Sequence, residues 1–321
     1  MNDSNRNSPI GNVADNISKA MESLLKCVND TSTETEVNVT SKKVGKRITQ
    51  QNTVIPNDDS IDIALIVAVQ AEFDGVCLAF DLGDSPYCEE KFYDDYKFMY
   101  TPFQYAGFDI ALVLQERMGM VYAASLTTRV ALALKPKLIA MVGVCGGKRQ
   151  KAKLGDIVIA SSTLNYTEGK FHKDAFKPRT EQKLMDNTLA HVIQSKIINS
   201  KKELGQKILK TYSEKTNRSV EIPSIHYAPI VSGPYVIDNK EAKEQIDMVQ
   251  DDYLGIDMET YAVAASSAVM EIKWIVIKSI QDFGDGNKTS DENSNDIREF
   301  AAYASAKLFK LNIETIMGYI Q

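Results

Sequence analysis

The sequence WIVIKSIQD occupies residues 274–282, and the sequence GIDMET occupies residues 255–260. The first is an apolar run that predicts a buried strand ending on the carboxyl group of Asp282. The second places Glu259 at the start of a helix made of small residues. Ligands in open α/β sheets bind at the carboxyl ends of strands, so both acidic side chains are expected beside one pocket. Such an arrangement suits chemistry on a sugar and its attached base.

An earlier apolar run, IDIALIVAV at residues 61–69, predicts a strand that is covered on both faces. The chain then turns into a helix near Glu72, which therefore also lies just past the carboxyl end of a strand. A charged stretch over 199–220 is interpreted as a surface insertion. The alternation of strands and helices predicts an α/β fold. The other predicted elements are a hairpin over 98–114, a helix over 121–134, a strand over 138–142, a helix over 180–198 and a final helix over 296–319.

The 321 residues include 37 basic and 43 acidic side chains, which gives a net charge of −6. This balance argues against broad binding to nucleic acid or to anionic membranes. No apolar run reaches the ~20 residues of a membrane helix, and the first residues carry no leader signal. The four cysteines and three histidines show no metal-ligand spacing, so no metal site is predicted. We expect a soluble protein of a reducing compartment, the cytoplasm.

Residues 1–60 are rich in Asn, Ser, Thr, Asp and Lys and form a polar N-terminal extension. One amphipathic stretch, residues 13–28, places apolar side chains at helical spacing. The rest lacks periodic apolar residues, so the extension is predicted to be largely mobile. Its helix could pack on its own domain or contact a partner chain. A single catalytic domain is predicted for residues 61–321, because the sequence shows no internal repeat and no second core.

Residues 143–147 read GVCGG directly after a predicted strand. Three glycines in five residues let the backbone approach a ligand closely, or they form only a tight connection. The spacing matches neither a Walker loop nor the GxGxxG dinucleotide motif. Two groups of basic side chains, one after this run and one in the next connection, are either ligands for an anion or solvated surface. They include Lys148, Arg149, Lys170 and His172.

Five separate stretches carry a resemblance to a known family. They are AVQAE at 68–72, MGM at 118–120, GVCGG at 143–147 with LGDIV at 154–158, VSG at 231–233, and DME at 257–259 with QD at 281–282. In this order, the chain resembles the nucleoside phosphorylase and nucleosidase superfamily over residues 61–319. The resemblance implies a twisted mixed central sheet flanked by helices and assembly as a homo-oligomer, a dimer or a hexamer. It also implies cleavage of the N-glycosidic bond of a nucleoside.

The resemblance further implies hydrolysis by water rather than phosphorolysis. Similar phosphorylases hold phosphate with an arginine and a serine, and the matching positions here are Met141 and Val144, which cannot neutralise a dianion. Glu72 stands where the related methylthioadenosine/S-adenosylhomocysteine nucleosidases keep a water-activating glutamate. Asp282 matches the general acid that donates to the purine at N7, and Glu259 matches the residue that accepts hydrogen bonds from ribose hydroxyls. Taken singly, the two glutamates could instead stabilise helix starts, and Asp282 could cap a turn or a helix.

Substrate-binding residues follow from the same resemblance. Met258 packs on the sugar, and the backbone of Val236 and Ile237 serves the purine edge. The methylthioadenosine enzymes stack a phenylalanine on the base where Val236 stands, so stacking in this chain requires Tyr235 or Phe283 in its place. The remaining predicted binding residues are Met118, Cys145 and Gly146.

The basic groups after the glycine run and in the next connection are expected to border the 5′ end of the sugar, where a thioether pocket would be apolar. In this respect the chain resembles nucleosidase domains that act as effectors in bacterial defence systems and fused signalling proteins, some of which cleave adenine from ATP. We therefore predict hydrolysis of an adenine nucleotide such as ATP or AMP. The alternatives are a methylthioadenosine/S-adenosylhomocysteine nucleosidase and, in another class, a catalytically silent nucleotide-binding module. No cofactor is predicted, although a divalent ion could accompany a nucleotide.

Overall fold

The computed structural model describes residues 61–83, 86, 89–93, 96–171, 176–286 and 295–320. The N-terminal extension and its predicted amphipathic helix lie outside these residues, so both stay predictions. The same holds for the domain boundary predicted at residue 60.

A mixed sheet forms the centre of the described region. Its order is β11-β10-β6-β12-β5-β1-β4-β3-β2, with β9 added beside β6, while β7 and β8 form a separate hairpin. The strands are β1 (Ile63–Val67), β2 (Glu89–Tyr93), β3 (Tyr96–Tyr105), β4 (Phe108–Leu114), β5 (Leu138–Gly147), β6 (Ile157–Asn165), β7 (Gly169–Phe171), β8 (Phe176–Pro178), β9 (Gln182–Leu184), β10 (Ile225–Ser232), β11 (Gly255–Asp257) and β12 (Lys273–Asp282).

The carboxyl ends of β1, β5 and β12 lie side by side, because these three strands are parallel neighbours. The short strand β11 pairs with β10 on one side and, antiparallel, with the end of β5 on the other, where Gly255 faces Gly147. This half of the sheet therefore closes on itself. The closure brings the end of β11, with its acidic residues, to the ends of β5 and β12.

Helices flank the sheet, and every side chain of β1 is buried, as expected for a strand covered on both faces. The predicted α/β class, a mixed central sheet flanked by helices, is confirmed. No helix within the described ranges is both long and apolar enough to cross a membrane. The helices are α1 (Gln70–Phe80), α2 (Met120–Leu134), α3 (Asn187–Val192), α4 (Lys201–Thr216), α5 (Lys240–Asp247), α6 (Thr260–Val269) and α7 (Asn295–Met317), with a π-helix (Ile193–Ile197) and a 3-10 turn (Ile198–Ser200) between α3 and α4.

The helix predicted over 180–198 starts later than expected. It begins at Asn187 because the carboxylate of Asp186 accepts hydrogen bonds from the backbone N–H groups of Thr188 and Leu189, which caps the helix at that point. The residues before the cap pair with β6 as strand β9.

The charged stretch over 199–220 is not a simple surface insertion. It forms α4, which buries Ile208 and Tyr212 on one face and leaves its charges on the other. The Tyr212 ring packs edge-on against Phe300 of α7, with 5.0 Å between ring centroids. The prediction was wrong here because two apolar side chains four residues apart are easily hidden among lysines and glutamates.

Candidate active site

A cavity of about 200 Å³ lies at the carboxyl ends of β1, β5 and β12 and beside the start of α1. The three carboxyl groups predicted to act in catalysis all line it, although their side chains come from distant parts of the chain. Tyr235, named as a candidate to stack on the base, also lines it and is 65% exposed. The predicted site residues found in the lining are Glu72, Met118, Cys145, Gly146, Val236, Ile237, Met258, Glu259 and Asp282.

Glu72 lies in the first turn of α1 and is almost fully buried. Its Oε2 accepts hydrogen bonds from the backbone N–H of Ala68, at 2.6 Å, and of Val69, at 3.3 Å. Its Oε1 accepts a third from the N–H of Val144 on β5, at 2.7 Å. The carboxylate is therefore fixed between the end of β1 and the middle of β5 rather than solvated at a helix start.

Gly143 leaves the space that the Glu72 carboxylate occupies. A Cβ atom at this position would lie 1.9 Å from Oε1, so no side chain fits there. The glycine run was predicted to let the backbone approach a ligand, and the structure shows that at Gly143 the closely approaching group is a side chain of the same protein. The run is also not a loop, because β5 continues through Gly147.

Lys278 lies in the middle of β12 and is fully buried. Its Nζ is 3.4 Å from Oε1 of Glu72 and 3.7 Å from Oδ2 of Asp257. Burial would lower the pKa of Lys278, but these carboxylates outweigh it, so its pKa is raised and the ammonium keeps its charge. Lys278 was not predicted from the sequence, although a lysine inside an apolar strand is a visible signal of a buried ion pair.

Asp257 ends β11 and holds the start of α6. Its carboxylate accepts hydrogen bonds from the hydroxyl of Ser232, at 2.7 Å, and from the hydroxyl of Thr260, at 2.5 Å. The backbone N–H of Thr260 donates to it as well, at 3.1 Å. These contacts join the ends of β10 and β11 to α6 and so fix the position of Glu259, two residues further along the chain.

Glu259 is buried, and its Oε1 accepts a hydrogen bond of 2.6 Å from the backbone N–H of Gly119, just before α2. Burial, and after it the charge of Asp257, raise the pKa of Glu259 to about 7, although Lys278 and the hydrogen bond from Gly119 lower it. A carboxyl group with this pKa exchanges its proton near neutral pH.

The raised pKa of Glu259 predicts a pH-dependent stability. The unfolded pKa of a glutamate is about 4.3, so the folded state binds the proton more tightly, and this stabilisation is full below that value and is lost as the pH rises through about 7. Relative to Glu259→Gln, the native protein is expected to lose on the order of 1–3 kcal/mol of unfolding free energy between pH 5 and pH 8. Urea unfolding of both proteins at the two pH values measures it. The exposed Glu116→Gln is the control, and a constant difference between native protein and Glu259→Gln would contradict the prediction.

Asp282 closes β12 and lines the cavity next to Gly146, where a Cβ atom would lie 3.4 Å from its Oδ1. The turn after it is held by Lys243 of α5, which is buried and donates hydrogen bonds to the carbonyl oxygens of Gly147 and Phe283. The same turn packs on Ile237, since a Cβ at the glycine in position 284 would lie 2.4 Å from the Ile237 carbonyl oxygen. The acid and the predicted purine-edge segment are therefore adjacent.

Phe283 and Arg149, both predicted to bind substrate, lie outside the cavity lining. The Phe283 ring is buried, and the guanidinium of Arg149 lies over it, 4.4 Å from the ring centroid. Arg149 also pairs with Asp285 at 2.8 Å. The prediction differs from the structure because the phenylalanine fills the core behind the turn and the arginine stabilises that turn.

Lys148 also lies outside the cavity lining and contacts other residues. Its Nζ contacts the carboxylate of Asp247 at 2.7 Å and the Asp251 carbonyl oxygen at 2.6 Å, and it lies 4.1 Å from the Tyr253 ring centroid. Lys170 is exposed on β7 and does not line the cavity. His172 falls outside the described residues. The predicted basic border of the 5′ end is therefore not formed by Lys148, Arg149 and Lys170.

The cavity has one basic lining residue that was not predicted from the sequence, Arg298 in the first turn of α7.

A model of the Phosphorylase superfamily matches residues 62–317, which is most of the chain. The chain belongs to the phosphorylase superfamily. The sequence-based recognition of this superfamily is thereby confirmed.

Relatives of this phosphorylase-superfamily chain include both uncharacterised proteins and nucleosidases. It is 35% identical over 204 residues to the uncharacterised protein y4jS of Sinorhizobium fredii, covering 61% of this chain and 47% of that protein. It is 26% identical over 197 residues to a death domain-containing ATP nucleosidase of Amphimedon queenslandica, covering 60% of this chain and 36% of the relative. The chain thus spans less than half the length of these two relatives.

The superfamily fold is also seen in solved structures. The 5′-methylthioadenosine/S-adenosylhomocysteine nucleosidase of Neisseria meningitidis superposes with a TM-score of 0.56 at 18% identity, covering 80% of this chain and 98% of the other. At this level of identity the likeness shows the fold, and it confirms the predicted nucleoside phosphorylase-like architecture.

Proposed function

We propose that the protein hydrolyses the N-glycosidic bond of a purine nucleotide or nucleoside and releases adenine. The observation that carries this proposal is the meeting of Glu72, Glu259 and Asp282 around one cavity. Glycoside hydrolysis needs carboxyl groups on both sides of the bond that breaks, and a pure binding site needs no such set.

The three carboxyl groups divide the chemistry. Asp282, protonated, donates its proton to N7 of the purine while the bond between C1′ and the base breaks. Glu259 accepts hydrogen bonds from the ribose hydroxyls and so stabilises the positive charge that develops on the sugar. Glu72 takes a proton from the water whose oxygen forms the new bond to C1′. The products are free adenine and a ribose with a hydroxyl at C1′.

Two observations support water over phosphate as the nucleophile. Met141 is fully buried within β5, so its side chain is not available to a ligand. The N–H of Val144, the other position where similar phosphorylases hold phosphate, already donates to Glu72. A phosphate dianion would meet the Glu72 carboxylate at this point instead of a cation.

An adenine nucleotide of the ATP or AMP type is the favoured substrate, since relatives include an ATP nucleosidase. Methylthioadenosine or S-adenosylhomocysteine is the alternative, because a nucleosidase for these compounds from Haemophilus influenzae is 28% identical over 184 residues. A silent nucleotide-binding module is the alternative of another class. We propose no resident cofactor, and a divalent ion would enter with a nucleotide.

We expect adenine release from a purine ribonucleotide or ribonucleoside with free ribose or ribose phosphate as the second product. The purified protein is incubated with ATP, AMP, adenosine and methylthioadenosine, with and without inorganic phosphate, and the products are identified by mass. Ribose-1-phosphate formed only in the presence of phosphate would contradict the water mechanism. Binding without any product would favour the silent module.

We also propose that the protein forms a homo-oligomer and acts as an effector in the cytoplasm. Val121 on α2 and Val269 on α6 are 79% and 80% exposed, and exposed apolar side chains on two helices in contact support a homo-oligomer. A role as a defence or signalling effector, with residues 1–60 contacting a partner chain, accords with the ATP nucleosidase relative. A cytoplasmic location fits the buried free thiol of Cys145.

A further inference from the structure

Arg298 is the one basic side chain, among the described residues, that lines the active-site cavity. It forms no hydrogen bond and no ion pair with any residue in the described ranges. A guanidinium carries five N–H donors and never loses its charge at physiological pH. Its presence beside three carboxyl groups, without a fixed partner, therefore points to a partner that arrives with the substrate.

The acidic neighbours of Arg298 on α7 are engaged elsewhere. Arg218, which follows α4, pairs with Asp296 at 3.1 Å and also contacts the carboxylate of Glu299. These two acids flank Arg298 in the sequence but face a different arginine. Two arginines with different surroundings therefore lie near the start of α7. Arg218 is paired with its carboxylates, and Arg298 lines the cavity.

The packing of α1 against α7 determines which part of the cavity wall Arg298 belongs to. The closest approach is between Gly75 and Ala302, where a Cβ on the glycine would lie 2.8 Å from the Cβ of the alanine. One helical turn earlier in each helix are Ala71 and Arg298, and both line the cavity. Arg298 therefore belongs to the wall formed by the start of α1.

The covalent structure of a nucleoside determines which of its groups meets this wall. The proposed function assigns the base to the wall formed by Ile237 and Asp282 and the 2′ and 3′ hydroxyls to Glu259. The remaining substituent of the ribose is the 5′ carbon, attached on the side of the ring away from those hydroxyls. Glu72 is assigned to the attacking water, so Arg298 is the one cationic lining residue among the described residues that is left for the 5′ group.

We propose that Arg298 binds the 5′-phosphate of the substrate and that the substrate class is a 5′-phosphorylated purine nucleoside; this inference rests on the proposed function. A guanidinium and a phosphate form two parallel charge-assisted hydrogen bonds. A thioether at the same place would face the guanidinium without accepting a strong hydrogen bond. Arg298 is itself exposed, so further phosphates of a di- or triphosphate extend into solvent.

The test compares substrates that differ only at the 5′ position. Arg298→Gln is expected to lower kcat/KM for AMP about 10- to 100-fold, the loss of one hydrogen-bonded charge pair, and to leave kcat/KM for adenosine near the wild-type value. Arg298→Lys keeps the charge but not the paired hydrogen bonds, so an intermediate loss for AMP is expected. Arg218→Gln is the matched control, because it removes an arginine that contacts the start of α7 outside the cavity, and both substrates should react as in the wild type.

Binding measurements complete the test. Calorimetric titration of wild type and Arg298→Gln with AMP and with adenosine should show weaker binding of AMP alone. Equal losses for AMP and adenosine, or an unchanged AMP value, would overturn the role of Arg298 while leaving adenine release, and so the proposed function, intact. If the wild type releases adenine from neither compound and binds neither, the proposed function fails and the inference fails with it.

Discussion

Asp282→Asn is expected to release adenine about 10²–10⁴ times more slowly than the wild type, with nucleotide binding largely retained. An amide has the size of the carboxyl group, so the cavity beside Gly146 keeps its shape. It cannot deliver a proton to the purine, so the base must leave as an anion. The rate of adenine formation under saturating substrate measures the chemical step, and calorimetric titration measures binding.

The control for this prediction is Asp285→Asn. Asp285 lies three residues further along the same turn, and its carboxylate pairs with Arg149 outside the cavity. Its replacement changes the charge of the turn equally but leaves the acid in place, so the rate should stay near that of the wild type. A large loss in Asp285→Asn, or a small one in Asp282→Asn, would show that the turn as a whole matters and that Asp282 is not the proton donor.

Lys278→Met is expected to lower the free energy of unfolding by about 3–5 kcal/mol. Methionine fills nearly the same space in β12, but it leaves the carboxylates of Glu72 and Asp257 buried without their cation. Removing one partner of a buried ion pair costs far more than the pair contributes in net stability, because the remaining charge cannot be solvated. Chemical denaturation at neutral pH gives the number directly.

Lys273→Met provides the comparison at the start of the same strand. Lys273 is partly exposed, and its Nζ lies 3.7 Å from Asp186, so its loss should cost less than about 1 kcal/mol. Lys278→Arg retains a cation between the two carboxylates and should recover part of the stability lost in Lys278→Met. If Lys278→Met and Lys273→Met lose the same stability, the buried cation does not hold the cluster together.

Much of the fold and the three carboxyl groups could be predicted from the sequence. The apolar runs ending near Glu72 and Asp282 specify strands covered on both faces, and their carboxyl ends meet at one edge of a parallel sheet. That rule alone places both side chains near one cavity. Glu259 follows the short strand β11, whose pairing with β5 closes the sheet at the same edge.

The basic residues could not be placed in the same way, because a lysine or arginine is long and its direction depends on tertiary contacts. Lys148 follows the glycine run closely in sequence, yet its ammonium pairs with Asp247 and lies over the Tyr253 ring, outside the cavity lining. Arg298 is distant in sequence from the recognised motifs, yet the crossing of α1 and α7 brings it to the cavity. Sequence spacing carries no signal of either outcome.

Gly143 leaves room for the Glu72 carboxylate because it carries a hydrogen atom where other residues carry a Cβ. A methyl group there would overlap the oxygen of Glu72, so this carboxylate can occupy its position only beside a residue that has no side chain. An inventory of reactive side chains would omit this position. A designer who transfers the Glu72 carboxylate and its hydrogen bonds to another scaffold must therefore also place a glycine beside it.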